Sequence, residues 1–155
     1  MEDIKIVDGI NHIDEVKNLI IEYTKFLGRD LTFQNLDDEL NDIAKKYCPP
    51  NGRLLCAQID EKIIGCVAYH KFDENRCEMK RLFVLEDYRK FYVGKKLIEE
   101  ILFFAKNDGY KEMILDTIKP LQSAIHLYKK FGFVETEPYY KNPMSDVIYM
   151  KKFLF

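Results

Sequence analysis

Apolar residues recur at Ile13, Val16, Leu19, Ile20, Tyr23, Phe26 and Leu27, a spacing of three and four that gathers them on one face of a helix. Asn11 or Asp14 supplies a side-chain oxygen for its start, and Gly28 predicts its end. Ahead of it, Ile4, Ile6 and Val7 predict a short strand broken by Gly9. After the linker from Gly28 to Gln34, a second helical stripe carries Leu36, Leu40, Ile43, Ala44 and Tyr47. Asn35 or Asp37 begins it, and Pro49-Pro50, which cannot continue a helix, stops it.

The pattern then becomes extended. Arg53–Ile59, Ile63–His70 and Arg76–Val84 read as strands joined by the turns Asp60-Glu61-Lys62 and Asp73-Glu74-Asn75, an antiparallel meander. Helical spacing returns over Val93–Asn107, with Leu97, Ile98, Ile101, Leu102 and Ala105 on one stripe. Met113–Asp116 is a strand reached through that helix, so it lies parallel to the strand before it, with a right-handed crossover. Pro120 opens another helix carrying Ala124, Ile125, Leu127, Tyr128 and Phe131 and ended by Gly132; Phe133-Val134 and Val147–Met150 add strands. The order β-α-α-β-β-β-α-β-α-β-β predicts one α/β (α+β) domain over residues 1–155. Its sheet is mixed but mostly antiparallel, of about six to seven strands, flanked by about four helices.

Composition narrows the class. A net charge of −2 excludes a general nucleic-acid binder, and 47% hydrophobic residues exclude a disordered chain. The longest apolar run, Ile101–Ala105, is far too short to span a bilayer. Met1-Glu2-Asp3-Ile4-Lys5 lacks the basic and apolar regions of a signal peptide, so a soluble cytoplasmic protein without membrane partners is expected. Cys48, Cys56, Cys66 and Cys77 form no CxxC pair and no closely spaced histidines accompany them; they read as reduced thiols, and no metal site is expected. His12, His70 and His126 are isolated, His126 facing away from Tyr128.

Chemistry concentrates in the stretch Cys77–Leu97, a strand, a basic loop and the first turn of a helix. Backbone N–H groups at such a junction can hold an anion, here with Arg89, Lys90, Lys95 and Lys96 adding charge and Gly94 allowing close approach. A solvated surface turn is the alternative reading of the same residues.

The segment Arg89-Lys90-Phe91-Tyr92-Val93-Gly94 resembles the acyl-CoA signature R/Q-x-x-G-x-G/A of the GCN5-related N-acetyltransferase (GNAT) family, with Tyr92 in place of the first glycine. There, a residue in the first helical turn needs only helical angles. The strand Glu78–Val84 and the helix from Lys95 also look like that family's. So does Ser123-Ala124-Ile125-His126-Leu127-Tyr128-Lys129-Lys130-Phe131-Gly132-Phe133, which resembles its A-x-x-L-Y-x-x-x-G-F segment; Leu121 stands where many members carry asparagine. The resemblance implies a splayed parallel strand pair at the sheet's centre and acetyl-CoA as acyl donor. It implies donor contacts from Leu82, Phe83 and Val84 and from Arg89, Lys90, Phe91, Tyr92, Val93, Gly94 and Lys95. Tyr128, off the centre of a packing face made by Ala124, Leu127 and Phe131, is expected to protonate the leaving thiolate.

Acyl transfer to an amine needs the amine neutral, and a carboxylate shielded enough to raise its pKa can take the proton. Glu78 is the candidate, with a solvated strand end or an ion pair with Arg76 as the alternative; a backbone N–H near Leu82–Val84 would serve the oxyanion. The acceptor side is expected among Tyr23, Phe26, Arg29, Phe33, Gln34, Asp116, Thr117 and the segment Tyr139–Pro143, with Phe33, Asp116, Tyr139 and Tyr140 as substrate contacts. The resulting expectation is an N-acetyltransferase acting on a small amine by direct attack in a ternary complex. A protein or peptide N-acetyltransferase and a non-catalytic acyl-CoA sensor are the alternatives, and oligomeric state, a homodimer included, is left open.

Overall fold

The structure, a computed structural model, describes residues 3–29, 36–50 and 52–155. The first strand, β1 (Ile4–Asp8), leads through a 3-10 turn into α1 (Ile13–Leu27). Gly28, at φ 64, ends that helix by returning its N–H to the carbonyls of Thr24 and Lys25. The single second helix expected from the sequence is instead two, α2 (Leu36–Asn41) and α3 (Ile43–Tyr47). Asp42 divides them: at φ −150 its carboxylate accepts the Lys45 N–H at 3.1 Å and starts a new helix.

The meander follows as β2 (Gly52–Ile59), β3 (Lys62–Lys71) and β4 (Arg76–Val84). A 3-10 turn (Glu86–Phe91) joins β4 to α4 (Val93–Asn107). Then come β5 (Glu112–Ile118), α5 (Gln122–Lys130), β6 (Val134–Glu135) and β7 (Val147–Phe153). They form one seven-stranded sheet in the order β1-β2-β3-β4-β5-β7-β6, in which only β4 and β5 are parallel.

Alternation along the strands gives the two sheet faces different tasks. On one, Val93, Leu97, Ile98, Ile101 and Ala105 of α4 pack with Met79, Cys77, Met113 and Tyr128. Each such buried aliphatic chain contributes about 1.5–3 kcal/mol over its exposed state. On the other face, Val16, Leu19 and Ile20 of α1 and Ile43 and Tyr47 of α3 cover Leu54, Cys56, Cys66, Ala68 and Phe83. Over β4, β5 and β7 that second face is covered by the segment 136–146, whose Tyr139 and Tyr140 rings lie against Tyr149. The buried side of α5 also differs from expectation: Ile125 and Tyr128 are buried, while Ala124, Leu127 and Phe131 are partly exposed.

Gly52 begins β2 where a Cβ would fall 2.3 Å from the Tyr69 carbonyl oxygen and 3.1 Å from Tyr47 Cα. Both obstacles are backbone, so nothing flexible can yield. Gly52→Ala is expected to lower unfolding free energy by at least about 2 kcal/mol in chemical denaturation.

Candidate active site

The β4–β5 ladder runs only from Arg76↔Glu112 to Glu78↔Ile114, although β4 continues to Val84 and β5 to Ile118. Past that point the strands separate, and the gap is a cleft lined by Lys80, Leu82, Asp116, Leu121, Tyr128 and Met144, among others. On its other side β4 carries a bulge. Cys66 pairs with Phe83 but Ala68 with Lys80, so Arg81 and Leu82 stand opposite Val67 alone. Arg81 takes φ 61, and its carbonyl oxygen accepts from Cys66 Sγ at 3.2 Å. In a trans peptide the N–H points opposite to the C=O, so the Leu82 N–H is directed away from Cys66 and toward the cleft.

The basic loop follows β4 and leads into α4. Tyr92 is left-handed, at φ 58 and ψ 26, which corrects the expectation that ordinary helical angles suffice there. Tyrosine holds the conformation glycine would take freely, at a cost of about 1–2 kcal/mol, with its side chain out in solvent. No side chain caps α4 and no acidic residue occupies its first turn, which holds Lys95 and Lys96 instead. The first N–H groups of a fifteen-residue helix are therefore left for an anion. A Cβ on Gly94 would meet only Leu127 Cδ2, at 3.4 Å, so protein packing does not require glycine there. Lys90 and Phe91 belong to the backbone of the preceding 3-10 turn. Arg89 braces the loop: its Nε donates to the Val84 carbonyl at 2.9 Å, and its guanidinium lies over Phe26 at 4.7 Å and Phe83 at 5.5 Å.

Beneath the cleft lies a chain of buried charges. Glu78, 5% exposed, receives His70 Nε2 at 2.7 Å and the Tyr139 hydroxyl at 2.5 Å. Lys80 Nζ stands 3.6 Å from Glu78 Oε2 and 3.7 Å from Asp116 Oδ1, bridging the two carboxylates. Asp116 also accepts from the Tyr140 hydroxyl and from Asn142 Nδ2. Three expectations are corrected here. Glu78 is neither solvated nor paired with Arg76, whose Nε bonds Asp73 at 2.8 Å, and His70 is not isolated. Nor is the Glu78 carboxyl raised. Burial pushes it up, but the bond from His70, the Lys80 charge and the bond from Tyr139 outweigh that and hold it at about 2. Tyr128 is shifted the other way: burial first, then the neighbouring Tyr23 and Asp116, keep its phenol protonated far above the ordinary range.

The structure thus brings Leu82, Asp116 and Tyr128 to one cleft, with Tyr23 and Arg29 on its wall. Glu78 lies one layer away, reached through Lys80. Tyr139 and Tyr140 hold the carboxylates without lining the cleft. Phe83 turns to the α1 face, against Tyr23 and Phe26, and Val84 joins the α4 core. Phe33 and Gln34 lie outside the described residues. Sequence reasoning missed Lys80 and His70. Strand alternation was the available signal for Lys80, since residues two apart on β4 share a face with Glu78.

Residues 14–133 match the Acetyltransferase (GNAT) family. Over 90% of its length the chain is 46% identical to an uncharacterised N-acetyltransferase of Schizosaccharomyces pombe, covering 86% of that protein. A GNAT-family acetyltransferase from Staphylococcus aureus superposes with a TM-score of 0.84 at 24% identity, over 99% of this chain and 100% of that one. A GNAT-family acetyltransferase from Elizabethkingia anophelis, solved with acetyl-CoA bound, gives a TM-score of 0.59 at 25% identity, over 76% and 80% of the two chains. The molecule is an acyltransferase with a donor of the acyl-CoA class. It belongs to the GNAT acetyltransferase family. Among the described residues no helix is long and apolar enough to cross a membrane, and no group of three or more His, Cys, Asp or Glu is placed to hold a metal ion.

Two outcomes follow from this geometry. Gly94→Ala is expected to stabilise the unliganded protein by up to about 1 kcal/mol, alanine being the better helix former, while shrinking the rise in Tm that CoA produces. Opposite signs in the two melting experiments would place the need for glycine in the ligand. For Glu78, a folded pKa of about 2 below the unfolded value means stability present above about pH 4.5 and lost as pH falls toward 2. Acid denaturation of Glu78→Gln is expected to show a shallower loss across that window than the wild type.

Proposed function

We propose that this enzyme transfers the acetyl group of acetyl-CoA to the primary amine of a small molecule, by direct attack within a ternary complex. The observation that carries the reading is the meeting of Leu82, Tyr128 and Asp116 at one cleft, in a fold whose α4 has an uncapped basic start.

In this reading the backbone from Arg89 to Lys95 holds the donor's pyrophosphate, with the α4 N–H groups and Lys95 supplying positive potential. The free edge of β4 beyond Glu78 offers Leu82–Val84 backbone groups to the amide-rich pantetheine arm. The Leu82 N–H receives the negative charge that develops on the acyl oxygen. Tyr128, protonated because it is buried, gives its proton to the departing sulfur as the carbon–sulfur bond breaks. The amine's proton passes to the carboxylate pair bridged by Lys80: Asp116 meets the acceptor, and Glu78, an anion throughout the neutral range, keeps Lys80 charged and Asp116 oriented.

A small acceptor is favoured over a peptide by the closure of the cleft's outer wall. Arg29, after α1, makes two bonds of 2.8 Å to Asp146, before β7, and Met144 lies against the same guanidinium. In this reading the bridge narrows the acceptor side of the cleft.

The test has two stages. Acetyl-CoA is expected to raise Tm in proportion to the logarithm of its excess over Kd. Free-thiol release is then followed against amines, amino acids, polyamines and peptides, with small primary amines expected to turn over. Tyr128→Phe and Asp116→Asn should each lower kcat by about 10² or more, the usual loss on removing a general acid or base. No stabilisation by any acyl-CoA would sink the donor site, and stabilisation without turnover on any acceptor would make the protein a sensor.

A further inference from the structure

Arg81 is the one residue of β4 whose backbone and side chain are both unusual. Its φ of 61 is left-handed, a region that costs an arginine about 1–2 kcal/mol and persists only where the surroundings over-determine it. Its guanidinium is buried and makes a two-pronged pair with Glu39 of α2, Nε to Oε2 at 2.9 Å and an outer nitrogen to Oε1 at 3.0 Å. Both side chains are almost fully inaccessible, and Lys46 of α3 adds a third contact at 2.9 Å. Burial opposes the Glu39 charge, yet the bonds to Arg81 and the Lys46 charge hold its carboxyl at about 2, so both partners stay ionised.

Buried ion pairs of this kind contribute little net stability compared with apolar side chains of the same volume. Their better-attested use is to select one geometry among several. Here the geometry selected is that of the bulge. The Arg81 side chain is anchored to α2, its carbonyl is anchored to Cys66, and the peptide between Arg81 and Leu82 is thereby fixed in orientation. We infer that the Arg81–Glu39 pair is a positioning device for catalysis, which holds the β4 bulge in its left-handed form and so aims the Leu82 N–H at the acyl oxygen. Arg81 and Glu39 do not touch the reacting atoms; they act through one peptide plane. The inference rests on the proposed acetyl-CoA reading of the cleft, and it adds that a residue of α2 sets the donor site's hydrogen bond.

Removing one partner would strand a buried charge and unfold the protein, so the informative variant replaces both, Glu39→Leu with Arg81→Met. Lys46 keeps access to water, its side chain being 25% exposed. Three quantities are measured on wild type and variant: Kd for CoA, the infrared stretch of bound acetyl-CoA isotope-labelled at its acetyl carbonyl, and kcat and KM on the best amine of the panel above. In wild type the carbonyl band should shift to lower frequency on binding, as a hydrogen-bonded carbonyl does. In the variant the band should return toward its free position and kcat fall by about 10², the loss typical of one oxyanion donor. Its Kd for CoA, which lacks the acyl oxygen, should stay within about twofold, as for sites that do not interact. A variant that keeps the wild-type band and kcat overturns the inference. So does a variant that loses CoA affinity along with the band, because the pair would then be holding the fold and not the donor. Failure of wild type to bind CoA or acetyl-CoA at all would instead overturn the acyl-donor reading, and the inference with it.

Discussion

Everything at the centre of this molecule follows from where two parallel strands stop pairing. β4 and β5 share a ladder for three residue pairs and then part, leaving the second half of β4 without a hydrogen-bonding neighbour on that side. Unpaired backbone inside a sheet is normally costly. Here the unpaired edge borders the cleft. The same separation lets Tyr128 of α5 reach the gap from one face while Asp116 reaches it from the strand. Had the ladder continued to Val84, the sheet would be tighter and the cleft absent.

The electrostatics of the gap are organised by pairing and not by isolated tuning. Four ionisable side chains, Glu78, Lys80, Asp116 and His70, are connected within hydrogen-bonding or near-contact distance, with Tyr139 and Tyr140 supplying further protons. Burial alone would favour the neutral form of the Glu78 carboxyl. At Glu78 the partners reverse that preference. A carboxylate so strongly held as an anion suits a fixed countercharge better than a group that must take up a proton at neutral pH. Asp116, on the far side of Lys80, is only partly buried and lines the cleft.

Much of this fold was legible in the sequence because its elements are strongly periodic. The stripes of α1 and α4, the meander β2–β3–β4 and the crossover to β5 all announce themselves by spacing. The signature around Arg89 and Gly94 and the segment holding Tyr128 made the family legible. What the sequence concealed depends on contacts between distant residues. Asp42 looks like any polar position in a helix until its side chain caps the next turn. Arg81 reads as one more residue of a strand, and nothing local signals φ 61 or a partner forty-two positions away. At Tyr92 a place in the first helical turn suggested ordinary helical angles, and the loop imposed left-handed ones.

Phe26 ends on a different footing from the one its exposure suggests. More than half of its surface faces solvent, and on α1 it could pass for an incidental apolar residue. Yet its ring is the platform beneath the Arg89 guanidinium, whose other bond secures the last carbonyl of β4. A cation over an aromatic face at an exposed site is worth about 0.5–1 kcal/mol, enough to bias a loop between two arrangements. The first helix, remote in sequence from the basic loop, therefore carries part of that loop's rigidity. A change at the end of α1 is transmitted through Arg89 to the end of β4.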